Sequence, residues 1–134
     1  MRILTMTALA VLLATPLAAQ TFKAQNGLQV TAAAQGFAVD GGSGQGARAI
    51  WCAVGDYAVR SKGAGGADRL YISEGRAPGF GQRGPVHFTL DAADLTPSAV
   101  LITGLSLRSA GANLSVGHAR SFCSNKSPSP GGTR

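Results

Sequence analysis

The chain has two histidines, His87 and His118, and they are its only side chains that ordinarily titrate near neutral pH. A histidine acts as a general acid or base when a carboxylate or a nucleophile lies beside it in space. The six carboxylates are few and dispersed, and no G-x-S-x-G element presents a nucleophilic serine. We therefore assign no catalytic residue. The sequence favours a protein that is not an enzyme, and a small hydrolase using His87 or His118 with a carboxylate is the alternative.

Two glycine-rich segments resemble phosphate-binding loops in composition. Residues 79–84 read GFGQRG and match G-x-G-x-x-G, but Pro85 and a strand-like pattern follow where a helix N-terminus would have to hold the pyrophosphate. Residues 41–46 precede a helix but lack the Lys-Ser/Thr pair of a phosphate-binding loop. The two cysteines and two dispersed histidines do not have the spacing of a metal site. We expect no cofactor and no bound metal.

The loop predicted over residues 75–85 is the candidate binding site. It contains Arg76, Phe80 and Arg83 within a frame of glycines and prolines. An exposed aromatic ring flanked by two guanidinium groups suits contact with a protein or with an anionic glycan. The alternative is a plain hairpin loop in which Phe80 packs on the core and both arginines are solvated.

Cys52 and Cys123 are the only cysteines. An even number of cysteines in a short exported chain predicts a disulfide, and neither residue belongs to a C-x-x-C motif. The predicted bond joins positions 71 residues apart, and closing a loop of that length removes about 4 kcal/mol of denatured-state entropy in the simple model.

The N-terminus is typical of a secretory signal. Arg2 precedes an apolar run over residues 3–14, Pro16 breaks the run, and residues 17–19 (LAA) offer a cleavage site after Ala19. The run is too short for a membrane span, which needs about 20 residues. The predicted mature chain of 115 residues is periplasmic or secreted, with eleven basic and six acidic residues. A basic exported protein favours anionic partners, and we expect no nucleic-acid partner.

Hydrophobic periodicity predicts the elements that position these residues. Alternation over 28–32 and 37–40 predicts a hairpin, and apolar residues at helical spacing predict a helix over 47–62 that Gly63 ends. Cys52 falls on the far side of that helix, so a C-terminal segment should cross its outer face and be held by the disulfide. Further alternating segments predict strands, at 70–73, 86–90, 101–108 and 112–122.

This order of elements predicts an α+β fold, with one helix across a mainly antiparallel sheet and one disulfide. Residues 1–19 are the predicted signal peptide, 20–123 a single domain, and 124–134 a Ser-, Pro- and Gly-containing tail that we expect to be disordered. In a continuous strand over 112–122, His118 would share a face with Leu114 and Val116. His87 should point away from the face of Val86 and Phe88.

Four segments carry a family resemblance: 51–58 (WCAVGDYA), 69–72 (RLYI), 86–89 (VHFT) and 119–123 (ARSFC). Together they resemble a family of small, uncharacterised exported bacterial proteins with a W-C-x-x-G-D-Y-A helix and a terminal F-C. The resemblance covers most of residues 20–123. It implies a location in the cell envelope and a disulfide, and it brings no catalytic residues.

These observations predict a non-enzymatic module that binds a protein or an anionic envelope component through the loop at 75–85. A small inhibitor of an envelope or host enzyme is a second alternative, since a domain closed by a disulfide can present such a loop. The sequence does not separate these two binding roles.

Overall fold

A computed structural model of the chain describes residues 20–40, 46–76, 84–99 and 107–124. The predicted signal peptide and the predicted tail beyond Ser124 lie outside these ranges. The described elements, in chain order, are β1 (Thr21–Lys23), β2 (Gln29–Ala33), β3 (Gly36–Val39), α1 (Ala47–Lys62), β4 (Arg69–Glu74), β5 (Val86–Thr89), β6 (Ser98–Ala99), β7 (Ala112–Ser115), α2 (Val116–Ser121) and a 3-10 turn (Phe122–Ser124).

The strands form one sheet in the order β1-β2-β3-β5-β4-β7-β6. All neighbours pair antiparallel except β6, a two-residue edge strand that pairs parallel with β7. Strands β2 and β3 form the predicted hairpin, with Val30 opposite Val39. The predicted α+β class, with a mainly antiparallel sheet, one long helix across it and one disulfide, is confirmed.

Helix α1 has the predicted bounds and ends at Gly63, whose φ of 66° is a left-handed conformation that glycine adopts without steric cost. All nine residues from Ile50 to Ala58 are buried. A helix that covers a sheet with one face buries only a stripe of residues, so α1 must be covered on its outer side as well.

The inner side of α1 packs its aromatic rings against those of the sheet. The ring of Trp51 lies 5.1 Å from that of Phe88, and the ring of Tyr57 lies 4.8 Å from that of Phe37, measured between centroids. The strands contribute alternate residues to this core: Val30, Phe37, Val39, Leu70, Ile72, Val86 and Phe88. Because successive strand residues point to opposite faces, the residues between them lie on the sheet face that α1 leaves uncovered.

The outer side of α1 is covered by α2, which runs back along it. At one end, the N–H of Gly117 donates to the carbonyl of Gly66, beyond the end of α1. At the other end, Cys123 is bonded to Cys52, with their Cα atoms 4.9 Å apart. The prediction that a C-terminal segment crosses the outer face of the helix and is held there by the disulfide is confirmed.

The predicted strand over 112–122 is wrong beyond Ser115. β7 ends there and the chain turns into α2, because the hydroxyl of Ser115 accepts the N–H of His118 at 3.2 Å and caps the helix. Leu114 and Val116 imitate strand alternation, whereas the buried pair Val116 and Ala119 has helical spacing. His118 consequently does not share a strand face with Leu114 and Val116. It lies exposed on α2.

Three further segments differ from the prediction or fall beyond what is described. The short edge strands β1 and β6 were not among the predicted strands. Residues 101–106, most of the strand predicted over 101–108, lie outside the described residues. Among the described helices, α1 included, none is both long and apolar enough to cross a membrane.

Candidate anion-binding surface

Arg76, near the start of the predicted binding loop at 75–85, is buried in the structure. Arg76 is only 7% exposed. Its Nε donates to the carbonyl of Gly84 at 3.1 Å, and its backbone N–H donates to the carbonyl of Leu107 at 2.7 Å. Arg76 therefore ties together the base of the loop, and its buried Nη2 makes no hydrogen bond among the described residues. Phe80 and Arg83 lie outside the described residues.

A polar groove lies on the uncovered face of the sheet. One part, of about 200 Å³, is lined by His87 and Glu74, which stand opposite each other where the register between β4 and β5 shifts. The second and larger part of the groove, about 630 Å³, is lined by Asp91 and Asp94, and Ser73 lines both parts. His87 is half-buried and points away from the face of Val86 and Phe88, as predicted.

The two histidines do not form acid–base pairs in the part of the chain that the structure describes. Neither side chain there makes a hydrogen bond or an ion pair with a carboxylate. His118 instead packs against the ring of Phe122, with the ring centroids 5.2 Å apart. Within the described ranges no group of three or more potential ligands could hold a metal ion. The hydrolase alternative stays a prediction without support from these contacts.

Three arginines on the two helices form the most distinctive charged surface among the described residues. Arg48 and Arg60 lie on α1 and Arg120 lies on α2, and all three are exposed. We call them the arginine strip. The side chains of Arg60 and Arg120 are 53% and 42% exposed. The two helices contain one carboxylate between them, Asp56, and it is buried. The outer helical surface is therefore positively charged.

The three arginines occupy positions distributed along the helices, and the guanidinium groups of Arg60 and Arg120 meet at the carboxylate of Asp56, at 3.0 Å and 3.8 Å. Arg48 and Arg60 are twelve residues apart on α1, which separates their positions by about 18 Å along the axis and by about a third of a turn around it. Arg120 lies between them, because its Nη2 is 3.8 Å from a carboxylate oxygen of Asp56. The strip thus runs diagonally across the helical face.

Two of the three guanidinium groups lie over aromatic rings. The Cζ atom of Arg48 is 5.7 Å from the ring centroid of Phe122, and that of Arg60 is 5.0 Å from the ring centroid of Phe22. Both rings are half-buried and are fixed by the fold. A cation held over a ring loses less side-chain freedom when it binds an anion, and its N–H groups stay open to solvent at the rim.

The residues of the W-C-x-x-G-D-Y-A signature fix the arrangement of these helices. Trp51 and Tyr57 fill the core, and Cys52 forms the disulfide. Gly55 allows α2 to pack closely against α1, because a Cβ at position 55 would lie only 2.8 Å from the backbone nitrogen of Arg120. Asp56 accepts the N–H of Gln25 at 3.0 Å and pairs with Arg60 at 3.0 Å. Each of these residues has a structural role.

Three of the six carboxylates lie on the sheet side of the molecule. Asp91 and Asp94 line the groove on the uncovered sheet face, and Glu74 is exposed beside it. Asp56, on the helical side, is already paired with arginine.

Sequence reasoning missed the arginine strip because its members are far apart along the chain. One signal was present: the predicted disulfide between Cys52 and Cys123 already places residue 120, three residues before Cys123, close to α1. No family model, curated protein or solved structure matches the chain. The site is therefore defined by its geometry.

Proposed function

We propose that this protein is a non-enzymatic binding module of the cell envelope, periplasmic or secreted, that holds an anionic partner on its arginine strip. The observation that carries the proposal is the exposed line of Arg48, Arg120 and Arg60 on a helical face whose only carboxylate is buried. The proposal keeps the predicted class of partner, a protein or an anionic envelope component. The loop at 75–85 stays a predicted contact, and the proposal adds the helical surface.

Arginine suits this role better than lysine. Its planar guanidinium can donate two parallel hydrogen bonds to one carboxylate or phosphate, and it sheds hydrating water more easily than an ammonium group. A single exposed ion pair contributes only about 0.2–1 kcal/mol, so an interaction of this kind requires several contacts at once. The disulfide and the Asp56 contacts support this, because they hold α1 and α2, and hence the three arginines, in a fixed relation.

Binding to defined anions tests the proposal. The protein, purified after export of the full chain, is titrated at low salt with polygalacturonate, with polyglutamate, and with vesicles containing anionic phospholipid. We expect at least one of these to bind. Replacing Arg48→Gln and Arg120→Gln together should weaken that binding by about tenfold, since two exposed charge contacts are lost.

The matched control removes two positive charges elsewhere. Arg69→Gln with Arg108→Gln changes the net charge by the same amount, and both residues are exposed outside the two helices. Affinity for the anion should change little in this variant. If the control weakens binding as much as the strip variant does, net charge and not the strip drives association. If none of the three anions binds, the proposal is wrong.

A further inference from the structure

We propose that Arg76 binds the carboxylate of a small organic acid. Two charged side chains are buried among the described residues, Asp56 and Arg76. Asp56 is paired with two arginines, at 3.0 Å and 3.8 Å. Arg76 has no counter-ion of this kind. The site lies at the base of the loop at 75–85, and the inference goes beyond the proposed function because it does not depend on the arginine strip.

The aspartates and glutamates of the chain do not neutralise Arg76. All six lie within the described ranges, and the ion pairs found there join Asp56 to Arg60 and Arg120. None of the six forms an ion pair with the guanidinium of Arg76, including Glu74, which precedes it by two residues. The positive charge is therefore buried without a side-chain carboxylate beside it.

The guanidinium also keeps an unused hydrogen-bond donor. Its Nε donates to the carbonyl of Gly84 at 3.1 Å, but its buried Nη2 makes no hydrogen bond among the described residues. Arginine stays protonated in proteins, so this cost is not relieved by loss of a proton. A buried charge without a counter-ion and a buried N–H without an acceptor are both destabilising. One oxyanion beside Nη2 supplies both the missing charge and the missing acceptor.

The backbone around Arg76 holds this donor in place. The backbone N–H of Arg76 donates to the carbonyl of Leu107 at 2.7 Å. Gly75 packs directly on the backbone of Arg108, so closely that a Cβ at position 75 would collide with the carbonyl oxygen of that residue. Together with the bond from Nε to Gly84, these contacts fix the side chain at both ends. A donor that is already fixed loses little conformational freedom when it binds an anion.

The charge and burial of Arg76 favour a monocarboxylate. The guanidinium carries one positive charge, and the carbonyl oxygen of Gly84 already places partial negative charge against it. A carboxylate balances that charge, whereas a dianion such as sulfate leaves a net negative charge in a buried site, which is costly. Because only 7% of Arg76 is exposed, a partner must reach it with a small group and not with a broad surface. A small organic acid meets both conditions.

Thermal unfolding of the exported, disulfide-bonded protein tests the inference, with acetate as the probe. Melting temperatures are compared near neutral pH in about 0.1 M sodium acetate and in sodium chloride of equal ionic strength. A ligand that binds only the folded state raises the melting temperature. Replacing chloride with acetate should raise that of the wild type by at least about 2 °C more than that of Arg76→Gln.

Two controls accompany this comparison. Arg69→Gln removes one exposed positive charge from β4 and should respond to acetate as the wild type does. Sulfate in place of acetate stabilises folded proteins generally, so it should act equally on the wild type and on Arg76→Gln.

Nitrogen-15 NMR of the wild type gives a second measurement, which does not require that Arg76→Gln folds. The Nε–H signal of Arg76 should shift with acetate concentration and reach a plateau, because Nη2 belongs to the same guanidinium. The Nε–H signal of Arg69 should not follow that curve.

Three results would overturn the inference. An equal response of the wild type and Arg76→Gln to acetate, or the absence of a saturable shift at the Nε–H of Arg76, would show that water alone solvates Nη2. A larger difference between the two proteins in sulfate than in acetate would refute the carboxylate assignment. Each of these results leaves the proposed function standing, because the arginine strip is tested with other variants and other anions.

Discussion

The buried carboxylate of Asp56 allows the clearest quantitative prediction, for the substitution Asp56→Ala. Asp56 is 1% exposed and contacts three parts of the chain. It accepts the backbone N–H of Gln25 at 3.0 Å, pairs with Arg60 on its own helix at 3.0 Å, and lies 3.8 Å from Arg120 on α2. Alanine removes all three contacts and leaves the N–H of Gln25 without its acceptor.

The three contacts differ in their contribution to stability. A hydrogen bond to a charged group contributes about 1.5–3 kcal/mol, and its loss here leaves a part-buried donor unpaired. The two arginines are about half exposed and can turn to water, so each ion pair contributes about 0.2–1 kcal/mol. We expect Asp56→Ala to lower the free energy of unfolding by about 2–4 kcal/mol, mostly through the bond to Gln25.

Urea unfolding of the oxidised protein, followed by Trp51 fluorescence, measures this change. The unfolding midpoint should fall by at least about 1 M for Asp56→Ala. Arg60→Gln is the matched control, because it removes one ion pair and leaves the bond to Gln25 in place. Arg60→Gln should lower the free energy of unfolding by less than about 1 kcal/mol.

Two results would refute this reasoning. If Asp56→Ala lowers the free energy of unfolding by less than about 1 kcal/mol, the hydrogen bond to Gln25 contributes little to stability. If Arg60→Gln lowers the free energy of unfolding as much as Asp56→Ala does, the exposed ion pair makes the main contribution, although such pairs are usually weak.

Three further predictions concern the framework. Replacing Cys52 and Cys123 with alanine should lower the free energy of unfolding by up to about 4 kcal/mol, measured by urea unfolding. A variant as stable as the wild type would contradict the conclusion that the disulfide holds the end of α2. Gly55→Ala should destabilise by about 1–2 kcal/mol although alanine favours helices, because the methyl group would collide with the backbone of α2; a gain in stability would show that α2 can move away. Gly36→Ala should lower the melting temperature by more than about 4 °C in calorimetry, since φ is +144° there and a Cβ would meet the carbonyl of Phe88. An unchanged melting temperature would place that carbonyl farther from β3.

Much of the central fold could be predicted because its signals are local. The bounds of α1 follow from apolar residues at helical spacing and from Gly63, and the hairpin of β2 and β3 follows from alternation on either side of a Gln-Gly turn. The position of Cys52 on the far side of α1 predicted the crossing of the C-terminal segment. In each case the periodicity of apolar residues within a short segment indicates which side of the helix or strand is buried.

Helix α2 could not be predicted in the same way. It has six residues, and an isolated helix of that length does not form in water. It exists because Gly55 leaves space for it, Ser115 caps it and the disulfide holds its end. Two of these three causes lie elsewhere in the chain, so the local sequence, which alternates like a strand, gave the wrong answer.

The same distinction between local signals and tertiary packing applies to the candidate site. The sequence by itself determined the disulfide, the long helix and the excess of basic residues, since these depend on residue types and short-range spacing. Only the tertiary structure decided which cations are exposed. Arg76 is buried and hydrogen-bonds to the carbonyls of Gly84 and Leu107, while the packing of α2 on α1 places Arg120 between Arg48 and Arg60. The physical reason is that the exposure of a charged side chain depends on what the rest of the chain places around it, and periodicity within a segment carries no information about that.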